Sequence, residues 1–237
     1  MTQTRATPTQ STRDVTSVDL RTTRIGAALG VASIVLIAVG LAISGPMDTT
    51  ITAPESQVVA FYRDSDLART LAGGFVEVLG LTLLLPFVAM LAARVRTPGS
   101  PLAPTARMAA TVYVALSLAP GMAAGATALW SAQHRTVDDQ LLLALNDLRA
   151  MSHFVSLVPY AVFLVAVGLA ARSTRRLPAW AAWSAIVLGA ALAATTPVAA
   201  SGATDFVGMA TVLWVLAVGI ALLRHPEPGR PITVGGA

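Results

Sequence analysis

Six apolar runs, each of about 20 residues, limit what this chain can fold into, because that is the length a helix needs to cross the hydrocarbon core of a bilayer. They fall at about 25–44, 70–93, 108–130, 151–171, 179–200 and 206–223. Within lipid every backbone N–H and C=O must find a partner inside the protein, so a spanning segment is a helix or part of a closed barrel. Barrel strands alternate in polarity over about ten residues, and a run such as "IGAALGVASIVLIAVGLAIS" does not. The expected fold is therefore all-α: a polytopic bundle of six transmembrane helices over 25–224, flanked by tails at 1–24 and 225–237. Both tails are polar or broken by proline, and neither buries enough apolar surface to offset the entropy of ordering.

Composition supports a lipid-solvated chain. Charged residues make up 12%, about half the share usual in soluble domains, and mean hydropathy is +0.69. All 16 basic residues are arginines, which fits a GC-rich bacterial genome. A pI near 10.6 suggests nucleic acid in a soluble protein, but here the arginines flank apolar runs, so no nucleic-acid partner is expected. There is no cysteine, which removes disulfides, thiolate catalysis and cysteine-held metal centres.

Arginine placement predicts orientation. With six spans, Arg5, Arg13, Arg21, Arg24, Arg94, Arg96, Arg107, Arg172, Arg175, Arg176, Arg224 and Arg230 share one side. The other side keeps Arg63, Arg69, Arg135 and Arg149, with Asp48, Glu55, Asp64, Asp66, Asp138, Asp139, Asp147 and Asp205. The positive-inside rule makes the first side cytoplasmic, with both termini there and the protein in a bacterial cytoplasmic (inner) membrane. A cleaved signal peptide ending at "AIS" before Gly45 is the competing reading. It fits less well, because the apolar core is too long and a polar tail of more than twenty residues precedes it.

Two loops on the outer side resemble each other: "SDLAR" before the second span and "NDLR" before the fourth. Ser65 and Asn146 are expected as N-caps, with Asp66 and Asp147 at the positive end of each helix dipole and the following Arg69 and Arg149 snorkelling to headgroups. Thr136–Asp139 has the form of a capping box. Val137, Leu141, Leu145 and Leu148 then fall on one face of an amphipathic helix, as do Val58, Phe61 and Tyr62 over a shorter stretch of the first loop, and each segment is expected either to lie along the outer interface or to cover the bundle. Gly26/Gly30 and Gly121/Gly125 are small-residue faces suited to close helix packing, within the chain or with a second copy or another membrane protein. Pro86, Pro120, Pro159 and Pro197 place one proline in each middle span. Pro120 and Pro159, thirteen residues from Arg107 and Arg172, share a depth near 20 Å.

Glu77 is the ionisable residue inside a span, and such residues are costly in lipid and commonly functional. Seventeen residues separate it from Arg94 and nineteen separate His153 from Arg172, so the two lie within about 3 Å in depth, in the outer leaflet. If spans two and four are neighbours, Glu77 and His153 can pair, with Ser156 and Tyr160 one and two turns deeper. These four form a candidate polar pocket, open to the outside and pH-sensitive between about 5 and 7. The alternative is that Glu77 faces a hydrated crevice while His153 sits among headgroups, each satisfied separately.

Catalytic signatures are missing. The chain has no G-x-S-x-G elbow, no H-E-x-x-H site and no phosphate-binding P-loop. Its histidines, His134, His153 and His225, are placed too far apart to hold stacked haems. Asp64-x-Asp66 and Asp138–Asp139 resemble metal dyads, yet both have a capping explanation. No catalytic residue, cofactor or metal site is expected, and a metal-dependent enzyme facing outward is a remote reading.

"RRLPAWAAWSAIVLG", Arg175 to Gly189, carries a resemblance. Leu177-Pro178-x-Trp180-x-x-Trp183 is similar to the turn that opens span five in an uncharacterised family of bacterial six-span integral membrane proteins. The resemblance implies a topology with a loop after span one, and no activity. Three functions stay open: a non-enzymatic subunit or accessory factor, a small proton-linked transporter or channel using Glu77 and His153, and the remote enzyme.

Overall fold

In the computed structural model, which describes residues 20–45, 50, 52–201 and 203–226, with side chains at all of these except 199–201 and 203–205, each apolar run is helical. In chain order the helices are α1 (Leu20–Ser44), α2 (Glu55–Asp64), α3 (Leu67–Arg94), α4 (Leu102–Leu116), α5 (Ala123–His134), α6 (Asp139–Thr174), α7 (Ala179–Thr195) and α8 (Ala203–Arg224). There is no strand among the described residues. Six helical segments are long and apolar enough to cross a membrane, so the protein is an all-α six-span bundle. The tail regions expected to be unfolded lie outside the described residues, apart from 20–24 and 225–226, as do the aspartate at 48 and the side chain of the one at 205. Residues 20–24 extend α1, so Arg21 and Arg24 ride on the first span rather than on a tail.

Span three is two helices joined by a π turn, Ser117–Met122, around Pro120. Proline donates no hydrogen bond, and a widened turn is one way a helix absorbs it. Pro86 and Pro159 lie inside continuous α3 and α6. Pro197 falls in the 3-10 segment Thr196–Ser201 that follows α7.

Each span touches two others along its length, and together they close a ring in the order α1, α3, α4, α6, α7, α8. Span three therefore stands between spans two and four, which are not the neighbours that the depth argument for Glu77 and His153 assumed. Lipid offers no hydrophobic drive to hold helices together, so close packing of small residues has to do it. The α1–α3 pair shows this in an unbroken antiparallel register: Gly26 meets Met90, Gly30 meets Phe87, Ile37 meets Gly80, Gly40 meets Glu77 and Ser44 meets Gly73. A methyl group on Gly73 would lie 2.6 Å from the Gly40 carbonyl oxygen and from the Ser44 nitrogen. The Gly26/Gly30 face, a candidate oligomer surface, is thus filled from within the chain. Gly125, in the other candidate face, is covered by Arg149.

Phe87, Phe163 and Trp214 are buried in the shared core, where Trp214 spends its indole N–H on the Ala181 carbonyl at 3.0 Å. A second, smaller core holds Val58 and Tyr62 of α2, Ala128 and Leu129 of α5 and Leu142 of α6. Six helical passes bring the start of α1 and the end of α8 to one end of the bundle. Arg94, Arg96, Arg107, Arg172, Arg175 and Arg176 cluster at that end, and α2 covers the opposite one.

The α2 end corrects several expectations. Ser65 ends α2, its hydroxyl on the Phe61 carbonyl, and Asp66 is the cap of α3, accepting from the Arg69 N–H at 3.0 Å. Asp138, not Thr136, caps α6. Asn146 lies within α6 and is buried, so it caps nothing. The outer amphipathic segment is no separate surface helix; it runs into span four as one helix of 36 residues, about 54 Å long. Leu142 and Asn146 point inward, while Leu141 and Leu148 of the apolar face are exposed. Those two continue into an exposed apolar stripe through Met151, Val155, Val158 and Val162, the face a membrane helix offers to lipid.

Candidate functional site

Glu77 sits on the α3 face formed by Gly73, Glu77, Gly80, Leu84 and Phe87, all buried. That spacing repeats every three or four residues, the stripe one helix presents to another. Its Cγ lies where a Gly40 side chain would be, 2.5 Å from the position of the missing Cβ. Glycine at 40 is therefore what lets a glutamate enter the seam. The residue is 9% exposed, and its Oε1 has no hydrogen-bond partner among the described residues. Two polar groups act on the carboxyl, the Ser44 hydroxyl and the Arg149 guanidinium. Ser44 otherwise reaches the Thr70 carbonyl at 3.5 Å.

Arg149 arrives from α6. Its side chain crosses α5 at Gly125, where a Cβ would lie 2.8 Å from the arginine Cδ, and one Nη donates to Asn146 Oδ1 at 3.1 Å. Asn146 Oδ1 also accepts from the Tyr62 hydroxyl at 3.1 Å. Gln133 on α5 donates to the carbonyls of Ser65 at 2.7 Å and Tyr62 at 3.4 Å. Arg63 and Asp139 form an exposed ion pair at 2.5 Å. Burial pushes the Tyr62 phenol above its usual range, and the guanidinium of Arg149 works against that shift. These contacts lock α2, α5 and the first turns of α6 over the Ser44–Gly73 end of the α1–α3 seam.

The four residues expected in one pocket separate. His153 is exposed on α6, its ring 5.8 Å from that of Phe154 and its carbonyl accepting the Ser156 hydroxyl at 2.7 Å. Ser156 and Tyr160 are buried together in the bundle. There the Ser117 hydroxyl lies 3.4 Å from that of Ser156, and Tyr160 stacks on Tyr113 at 4.5 Å. Glu77 belongs instead with Ser44 and Arg149. Sequence reading missed Ser44, Tyr62, Asn146 and Arg149 as a group. One signal was present: Leu142, Asn146 and Arg149 share a helical face, a polar face on a segment that continues into lipid.

The loop aspartates do not converge. Asp66 and Asp138 cap helices and Asp139 pairs with Arg63. No group of three His, Cys, Asp or Glu side chains able to hold a metal ion occurs among the described residues. A cleft of about 410 Å³ between α2 and α6 is lined by Glu55, Ser56, Val59, Asp139 and Gln140 among others. An apolar groove of about 630 Å³ runs along the lipid-facing side between α4 and α6. Compared with protein-family models, curated proteins and solved structures, the chain matches none.

Proposed function

We propose that this is a non-enzymatic subunit or accessory factor of a bacterial cytoplasmic membrane, with both termini on the cytoplasmic side. One observation carries the reading: Tyr62, Gln133, Asn146 and Arg149 at the α2 end are engaged within the protein. Tyr62, Asn146 and Arg149 share hydrogen bonds, and Gln133 holds two main-chain carbonyls. Residues used this way tie helices together. The arginine-rich end supports the orientation. The test combines a topology reporter at Ala53 with reconstitution of the purified chain in liposomes. The expected outcome is a reporter on the outer side and no proton or solute flux. A reporter accessible only from the cytosol overturns the orientation, and saturable flux overturns the accessory role.

The buried, unpartnered Glu77 oxygen favours a second reading, a small proton-linked transporter or channel centred on this carboxyl. Arg149 is the charged group that faces it. Under this reading Glu77→Gln abolishes the liposome flux and His153→Ala leaves it intact. Flux that persists in Glu77→Gln sinks it.

A further inference from the structure

We propose that the turn between α6 and α7 binds one anionic phospholipid, its phosphate held by Arg172 and Arg175 and one acyl chain lying along the outer face of α7. The Leu177–Trp183 motif supplies the framework. α6 ends at Thr174, and Arg175 closes it in the left-handed region at φ 55°. Leu177 is buried and Pro178 opens α7, so the turn is anchored while both guanidinium groups stay exposed.

Arg172 is held in place. Its guanidinium carbon lies 4.0 Å from the Trp183 ring centroid, a cation–π contact that reduces the rotamer freedom lost when an anion binds. Trp180 and Trp183 are 48% and 51% exposed. With Val187, 61% exposed, and Ala190 they form a stripe at helical spacing on the side of α7 away from the bundle. The stripe is about 15 Å long, enough for most of one acyl chain. Indoles at such a boundary sit at headgroup depth.

Charge selects the headgroup. The described side chains at this end of the bundle include Arg94, Arg96 and Arg107 besides those of the turn, and no carboxylate. A zwitterionic lipid brings its own cation into that field; an anionic one does not. Free phosphate satisfies the guanidinium groups but leaves the indole stripe unused, so the lipid is the occupant that fits both halves of the site.

The test uses the full chain with Trp130→Phe, which leaves Trp180 and Trp183 as the exposed indoles, reconstituted in bilayers containing brominated lipid as a fluorescence quencher. Brominated phosphatidylglycerol is expected to quench several-fold more effectively than brominated phosphatidylcholine at the same mole fraction. Arg172→Gln and Arg175→Gln are each expected to remove most of that preference, one arginine near a charged surface being worth about fivefold in affinity. Arg107→Gln, at the same end but off the turn, leaves it unchanged. Arg175→Gln does not touch Trp183, so it remains readable if Arg172→Gln shifts the emission. Unchanged quenching by the phosphatidylcholine analogue shows that the indoles of each variant still face lipid. Equal quenching by the two lipids, or a preference that survives both substitutions, overturns the proposal. Displacement of the brominated lipid by soluble glycerol phosphate overturns the lipid assignment.

Discussion

Arg94 and Arg176 each donate to the other's main-chain carbonyl. Arg94 Nε reaches the Arg176 oxygen at 3.0 Å, and an Arg176 Nη reaches the Arg94 oxygen at 3.2 Å. Arg94 ends α3 and is buried at 4% exposure. It also donates to the Pro226 carbonyl at 2.9 Å and lies 3.5 Å from the Thr23 hydroxyl of α1. One guanidinium thereby ties the ends of α1, α3 and α8 to the α6–α7 turn, through main-chain carbonyls and a hydroxyl. The planar fork of five donors is what makes this possible.

Arg94→Ala is accordingly expected to destabilise the bundle by about 2–4 kcal/mol, since charged donors on carbonyls contribute about 1.5–3 kcal/mol each and do not add fully. Arg94→Lys recovers a minority of this, because an ammonium cannot reach carbonyls on several elements at once. Thermal unfolding in detergent measures both. An alanine variant melting within a degree of the parent would show that the tie contributes nothing.

Two adjacent glycines should behave oppositely. Gly73→Ala drives a methyl group into the backbone of α1, and overpacking of this kind costs about 1–3 kcal/mol. Gly74→Ala has nothing within 4 Å and gains helix propensity of about 1 kcal/mol, so it is expected to be neutral or stabilising. If the two variants melt together, α1 and α3 are not packed in this register.

Glu77 is expected to couple to Arg149 and not to His153. In double-mutant cycles built from Glu77→Gln with Arg149→Gln, and from Glu77→Gln with His153→Ala, the first should show an interaction of about 0.5 kcal/mol or more and the second none within error. Thermal stability in detergent is the readout. The reverse pattern would restore the pairing expected from depth alone.

Tyr62 makes the α2 end sensitive to high pH. Because burial raises its phenol in the folded state, the folded protein holds that proton more tightly than the unfolded chain does. The stability this confers is complete below the unfolded value of about 10 and is lost as pH rises through the folded value. Tyr62→Phe should cost about 1 kcal/mol at neutral pH, one hydrogen bond, and should flatten the fall in melting temperature above pH 10. Parallel pH curves for the two proteins would contradict this.

The number of spans and their helical state could be read directly, because bilayer thickness and backbone hydrogen bonding act on each apolar run separately. The same local physics identified Glu77 as unusual and put Val58 and Tyr62 on one helical face. What went astray was lateral. The shared face of Leu141 and Leu148 was legible, but not whether it turns to the bundle or to lipid. In lipid, apolar side chains gain nothing by turning inward, so packing and hydrogen bonding set the rotation of the helix, and Asn146 and Arg149 took the inner face.

Depth along a helix accumulates residue by residue and is therefore written in the chain, but the identity of a neighbour is not. Glu77 and His153 were aligned by counting, and the ring order then placed span three between them. Arg149 acts on Glu77 because residue 125 has no side chain to block its path across α5 and residue 40 has none to keep the carboxyl out of the seam. Gly125 reads in the sequence as part of a packing face and Gly40 carries no signal at all, and each acquires its role when a second helix arrives against it. That arrival depends on the fit of whole surfaces across the bundle, which no single stretch of residues encodes.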